Sequence, residues 1–153
     1  SPGEEGVLWL QGPSVAREYL GSPELTAERF QDGWFNTGDV VRLDEEGYLT
    51  VLDRVSDMMI VSGFNVYPQE VEAVLNEHPQ VRESAMVGVQ NPISGQAIKA
   101  YVALRNPEKN PLSSRELVSF CRERLAHYKV PRQVEFVEEF PRSPIGKILK
   151  HQL

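Results

Sequence analysis

The chain has 153 residues, 41% of them hydrophobic and 25% charged, with a net charge of -6. Its length permits a real core in one or two small domains, and its single cysteine, Cys121, excludes an internal disulfide framework. Residues 1–76 hold 4 Lys/Arg against 14 Asp/Glu and residues 77–153 hold 12 against 8, so the mildly basic second half suits a small polyanion. It lacks the interleaved aromatic and basic residues of a nucleic-acid surface, and no nucleic acid is expected as a partner.

The first third reads as β-rich. Residues 7–10 predict a short strand, and Ser22-Pro23-Glu24 predicts a helix start, with Ser22 as cap and Pro23 at the first helical position. Residues 40–43 and 48–52 predict a hairpin around Asp44-Glu45-Glu46-Gly47. With no bulge, that fold-back sets Asp39 opposite Asp53 and next to Arg54. The character changes near residues 53–56, the expected domain boundary. Residues 58–61 predict a buried strand, and Ser62-Gly63-Phe64-Asn65 a turn where glycine permits close approach.

Pro68 opens a helix through Leu75 with Val71, Val74 and Leu75 on one face. Residues 81–89 and 98–104 predict strands with a loop between them. Ser113 and Glu116 predict a capping box ahead of a helix through Leu125, in which Cys121 is a buried small hydrophobe. Residues 133–137 predict a further strand. Strands and helices mix without strict βαβ alternation, so the expected class is α+β: a β-rich hairpin segment over residues 1–54 and a small α+β domain, a mixed sheet with helices, over 55–153.

Three groups of residues carry chemistry. Asp39 follows Thr37-Gly38, which predicts a carboxylate projecting from a turn into open space. Such a group accepts from two hydroxyls at once, as the vicinal diol of a ribose requires, and Arg54 supplies donors to the same sugar or to a phosphate. A hairpin-end ion pair is the competing reading. Ser62-Gly63-Phe64 could line a narrow channel with backbone and an aromatic wall, or be a tight turn with a core phenylalanine. Lys147 ends Pro141-Arg142-Ser143-Pro144-Ile145-Gly146-Lys147, a proline-stiffened turn that holds one ammonium at a defined point and suits a phosphate. His78, His127 and His151 lack metal-ligand spacing, so no metal site is expected. No apolar run reaches 18 residues, and no basic-then-apolar leader opens the sequence; a cytoplasmic location is the expectation.

Together these motifs resemble the C-terminal part of the acyl-adenylate-forming ligases, most closely the bacterial long-chain fatty-acid CoA ligases. The resemblance covers essentially the whole chain: Gly6 to Pro13, Gly33-Trp34-Phe35-Asn36-Thr37-Gly38-Asp39, Asp53-Arg54 with residues 62–72, and Pro141 to Lys147. It implies that a fatty acid reacts with ATP to give an acyl-adenylate and pyrophosphate, and that CoA then displaces AMP. By position it implies Thr37, Asp39 and Arg54 at the nucleotide, Lys147 as the catalytic residue of adenylation, Ser62, Gly63 and Phe64 along the pantetheine path, and Ser56 as hinge of a mobile domain. Relatives usually carry Asp or Lys at the hinge, and a longer side chain at Asn65.

The resemblance further implies that the Mg2+ ligand, the ATP phosphate loop and the acyl pocket belong to a large N-terminal adenylating domain upstream. The chain is therefore expected to be the end of that domain plus the whole mobile domain, inactive alone. Peripheral contact with the inner membrane is an added expectation for an enzyme of fatty acids, and acetylation of Lys147 an added one for its regulation. A carrier-protein acceptor, release of the adenylate as product, and a noncatalytic nucleotide- or CoA-binding module remain alternatives.

Overall fold

The computed structural model describes residues 2–108 and 111–153. They divide after Ser56 into two compact units, Ser1–Ser56 and Asp57–Leu153.

In the first unit β3 (Trp34–Leu43) is the spine of a four-stranded antiparallel sheet. β1 (Glu5–Leu10) pairs along one edge, while β2 (Phe30–Gln31) and β4 (Leu49–Arg54) pair along the other. α1 (Pro23–Arg29) precedes β2. Ser22 stands at its N-cap, with proline just inside, but its side chain makes no capping bond. Thr26 closes the turn instead: its hydroxyl donates to the Ser22 carbonyl at 2.9 Å and accepts from the Tyr19 amide at 3.0 Å. Phe30 and Phe35 pack ring to ring at 4.9 Å, which explains a two-residue strand that alternation could not reveal.

The second unit is a five-stranded mixed sheet with helices, α+β as expected. β5 (Met59–Val61) and β6 (Phe64–Val66) form a small hairpin, and β7 (Val81–Asn91) and β8 (Gly95–Leu104) a long one. The loop expected over residues 90–96 shrinks to Pro92-Ile93-Ser94, because the Asn91 side chain accepts the amides of Ile93 and Ser94 and lets the ladder run on to Asn91 and Gly95. β9 (Gln133–Val137) joins β8 in parallel, the crossover being made through α3 (Ser114–Arg122). α2 (Pro68–Asn76) is the other helix of this unit.

Both faces of this sheet are covered, so β8 reads as a nearly continuous buried run rather than an alternating one. On one face Ile98, Ala100 and Val102 pack with Val71 and Leu75 of α2 and with Leu117 and Cys121 of α3. On the other, Ala85, Tyr101 and Ala103 pack with Phe140, Ile148 and Leu153. The segment carrying Lys147 is thus the cover of the second face.

The Ser113 capping box is present: the Ser113 hydroxyl accepts from the Glu116 amide, and the Glu116 carboxylate accepts from the Ser113 amide at 2.9 Å. The Ser113 hydroxyl, which also donates to the Glu116 carboxylate at 2.6 Å, and secondly the Ser113 amide hold the Glu116 carboxyl below its usual range. α3 ends at Arg122, short of the expected Leu125, and a 3-10 turn over His127–Lys129 follows. Cys121 is fully buried, and burial pushes its thiol up to about 11. Since the thiolate is the reactive form, native protein at pH 8 should stay unlabelled by a maleimide and react only once denatured; quantitative native labelling would contradict this packing.

Candidate functional site

The motif expected to be a turn is part of β3. Gly38 sits inside that strand at φ +74, and Asp39 is half-buried, so the expectation of a carboxylate in open space is corrected. The pairs Leu43 with Leu49, Arg42 with Thr50 and Val41 with Val51, continued unbroken, would set Asp39 opposite Asp53. An irregularity at Leu52 shifts the register by one, so Val40 faces Asp53 and Asp39 faces Arg54. Arg54 Nε then lies 2.8 Å from Asp39 Oδ1, with side-chain exposures of 60% and 25%. Arg54 also donates to the Thr37 carbonyl at 3.3 Å.

Thr37 is committed to structure. Its hydroxyl donates to the Leu8 carbonyl on β1 and accepts from the Asp39 amide, both at 3.0 Å. It therefore fixes where Asp39 starts from. A Cβ built on Gly38 would lie 2.9 Å from Arg29 Nη1 in addition to the positive φ. Gly38→Ala should destabilise the chain by about 1–3 kcal/mol, seen as a lower urea midpoint; an unchanged midpoint would show that the bulged strand relaxes freely.

Lys147 closes a miniature hairpin. The Ser143 amide donates to the Lys147 carbonyl at 2.8 Å, the Gly146 amide to the Ser143 carbonyl at 2.9 Å, and Arg142 bridges Ile148. Pro144 and Ile145 occupy the centre of the turn, and Gly146 takes φ +84, as the last residue of a three-residue loop requires. The Lys147 amide is held by Ser143 Oγ at 3.1 Å. Its side chain is exposed, and its ammonium makes no hydrogen bond or ion pair among the described residues.

Ser62 and Gly63 form a two-residue loop between the paired residues Val61 and Phe64, with φ +52 and +83. Two positive values match the twist of a tight hairpin. Phe64 belongs to β6 rather than to the turn; it is 55% exposed and stacks on Tyr128 at 4.5 Å, which corrects the reading of a core phenylalanine. A recess of about 90 Å³ beside the turn is lined by Ser62, Ile98, His127, Tyr128, Val130 and Arg132. Tyr128 was missed; its only sequence signal is one aromatic between His127 and Lys129.

Within the second unit the two turns attach to opposite ends of the long hairpin. The Ser62 amide donates to the Ser94 carbonyl at the closed tip, where Val61 pairs Gly95. The Lys147 hairpin is tied through Arg142 to Glu83, which pairs Ala103 near the open base. The eight steps from Glu83 to Asn91 span roughly 26 Å of strand. Asp39 and Arg54 meet in the first unit, and Ser56 is its last residue.

An exposed, unpaired lysine on a rigid hairpin and a backbone-only turn at the far end of one sheet define a domain that offers two different tools. Residues 70–147 match the AMP-binding enzyme C-terminal domain, and the chain belongs to that family. Over all 153 residues it is 48% identical to the long-chain-fatty-acid–CoA ligase of Escherichia coli O157:H7 and spans 27% of that protein. It is 47% identical to the 2-succinylbenzoate–CoA ligase of Geobacillus kaustophilus and spans 31% of it. The o-succinylbenzoate CoA synthetase of Bacillus subtilis, solved with its acyl-adenylate intermediate, superposes over 99% of the chain and 31% of its own length with a TM-score of 0.92 at 40% identity. The chain therefore spans less than a third of these relatives.

Proposed function

We propose that this chain is the C-terminal part of an ATP-dependent long-chain fatty-acid CoA ligase, completed by an N-terminal adenylating domain of the same cytoplasmic protein. The observation that carries the reading is the placement of Lys147 and Ser62-Gly63 at opposite ends of one sheet. A ligase that first joins a carboxylate to AMP and then passes the acyl group to a thiol needs different groups at one reaction centre in turn. Tools attached about 26 Å apart along one hairpin can serve one centre if the unit carrying them reorients about Ser56.

In the first step a carboxylate oxygen attacks the α-phosphorus of ATP, and the bond to pyrophosphate breaks. Two anions must approach, and the fixed Lys147 ammonium offsets their repulsion as charge shifts. Asp39 accepts from the ribose hydroxyls, with Arg54 holding its other oxygen. Mg2+ accompanies ATP and is held by the upstream domain. In the second step the CoA thiol attacks the acyl carbonyl and AMP leaves. Gly63, around which a built Cβ meets nothing within 4 Å, leaves room for the pantetheine arm, with Ser62 and Phe64 beside it.

The fatty-acid assignment is supported by the 48% identity to the Escherichia coli enzyme. The near-equal identity to a 2-succinylbenzoate ligase supports a second reading, an aromatic dicarboxylate as the acid. Pyrophosphate release by the full-length protein with palmitate and with 2-succinylbenzoate decides between them: at least tenfold higher kcat/KM for palmitate is expected, and the reverse order would move the assignment to the aromatic acid. The 153 residues alone should release no pyrophosphate with either.

A further inference from the structure

We infer that Glu83 and Arg142 are positioning residues for Lys147, a strut that ties its hairpin to the sheet and serves the adenylation step selectively. The inference rests on the role proposed above for Lys147. Arg142 Nη1 donates to the Gly146 carbonyl at 2.9 Å, and Nη2 engages both carboxylate oxygens of Glu83 on β7. One guanidinium therefore grips the residue immediately before Lys147 with one nitrogen and a fixed strand with the other. The planar fork is what allows both at once; an ammonium would offer no such fixed angle.

The far side of the hairpin is anchored too. Lys150 Nζ lies 2.7 Å from Glu72 Oε1, and the same oxygen accepts the Met86 amide at 2.8 Å, so that carboxylate is itself pinned between α2 and β7. Phe140 and Ile148 seat the base of the hairpin on the sheet. The tip, where Pro144, Ile145 and Lys147 are all exposed, has no apolar seat. Its one side-chain link to the sheet among the described residues is the Arg142 strut. A misplacement of about 1 Å at a reacting centre can cost 10²-fold in rate, so a tip free to rock loses rate without unfolding anything.

The test uses the full-length enzyme with Glu83→Gln, Arg142→Gln and Arg142→Lys, each assayed for pyrophosphate release and for thioester formation from supplied acyl-adenylate and CoA. Arg142→Gln should lower kcat of the first reaction about 10- to 100-fold with KM for ATP unchanged, and leave the second within twofold. Glu83→Gln should fall less, and combining it with Arg142→Gln should add no further loss. Arg142→Lys, which keeps the charge but cannot hold both partners, should lie between wild type and Arg142→Gln. Equal losses in both half-reactions with a lowered melting temperature would make the pair merely structural and overturn the inference. So would wild-type rates throughout. Lys147→Ala in the same assay separates the two readings: if it adenylates normally, the role of Lys147 itself is wrong; if it is impaired while the Arg142 variants are not, only the strut is.

Discussion

Lys147→Ala in the full-length protein is expected to lower the rate of pyrophosphate release by about 10² to 10³. The size follows from what the residue does alone. Its ammonium has no partner among the described residues, so its removal breaks no ion pair and opens no cavity, and the fold should melt unchanged. On the role proposed for Lys147, what disappears is a positive charge between two anions, and its neighbours Arg142 and Lys150 are already engaged by carboxylates. Lys147→Arg should recover little of the loss, since a guanidinium is longer and its charge is spread over a plane. A variant that releases pyrophosphate at the wild-type rate would make Lys147 a solvated surface residue.

The second large effect is expected at Gly63, with the opposite selectivity. Gly63→Asn keeps the backbone, because asparagine tolerates the left-handed region that φ +83 demands. Its side chain would enter space that is open in the structure, so the fold loses little. If the pantetheine arm passes there, thioester formation from supplied acyl-adenylate should drop at least tenfold while pyrophosphate release stays within twofold. The order of magnitude is that of displacing a bound group by an angstrom or so. Equal rates in both half-reactions would place the thiol path elsewhere.

Much of this arrangement was legible in the residues because it depends on local chemistry. Pro68 opening α2, the Ser113 and Glu116 box, and the turns at Gly63 and Gly146 follow from what those residue types do wherever they occur. The irregular parts depend on neighbours that a linear reading does not supply. Nothing in residues 49–54 marks Leu52 as the extra residue, yet it decides that Asp39 faces Arg54 rather than Asp53. Ser22 looks like a cap and does stand at the N-cap, yet its hydroxyl makes no capping bond, and Thr26, four residues on, donates to the Ser22 carbonyl instead. Phe64 reads as core by composition, and only the 3-10 turn that brings Tyr128 beside it explains why it can stay exposed. Glu83 lies 59 residues from Arg142, and a lone acidic residue in a strand gives no sign of its partner.

Thr37 and Asp39 sit on β3 and Arg54 on β4, two strands whose register is set by a bulge, so their relative placement is precise but not adjustable. The Lys147 hairpin and the Ser62 turn sit at the two ends of a rigid sheet covered on both faces. A body of that kind is suited to move as a whole and unsuited to bend.

The most direct test is the rate at which the Lys147→Ala enzyme converts supplied acyl-adenylate and CoA into thioester and AMP. A wild-type rate, alongside lost pyrophosphate release, is what two separate tools on one moving unit predict. Loss of both reactions together would mean that Lys147 serves a single shared site or the fold itself, and would contradict the assignment of the two turns to two steps.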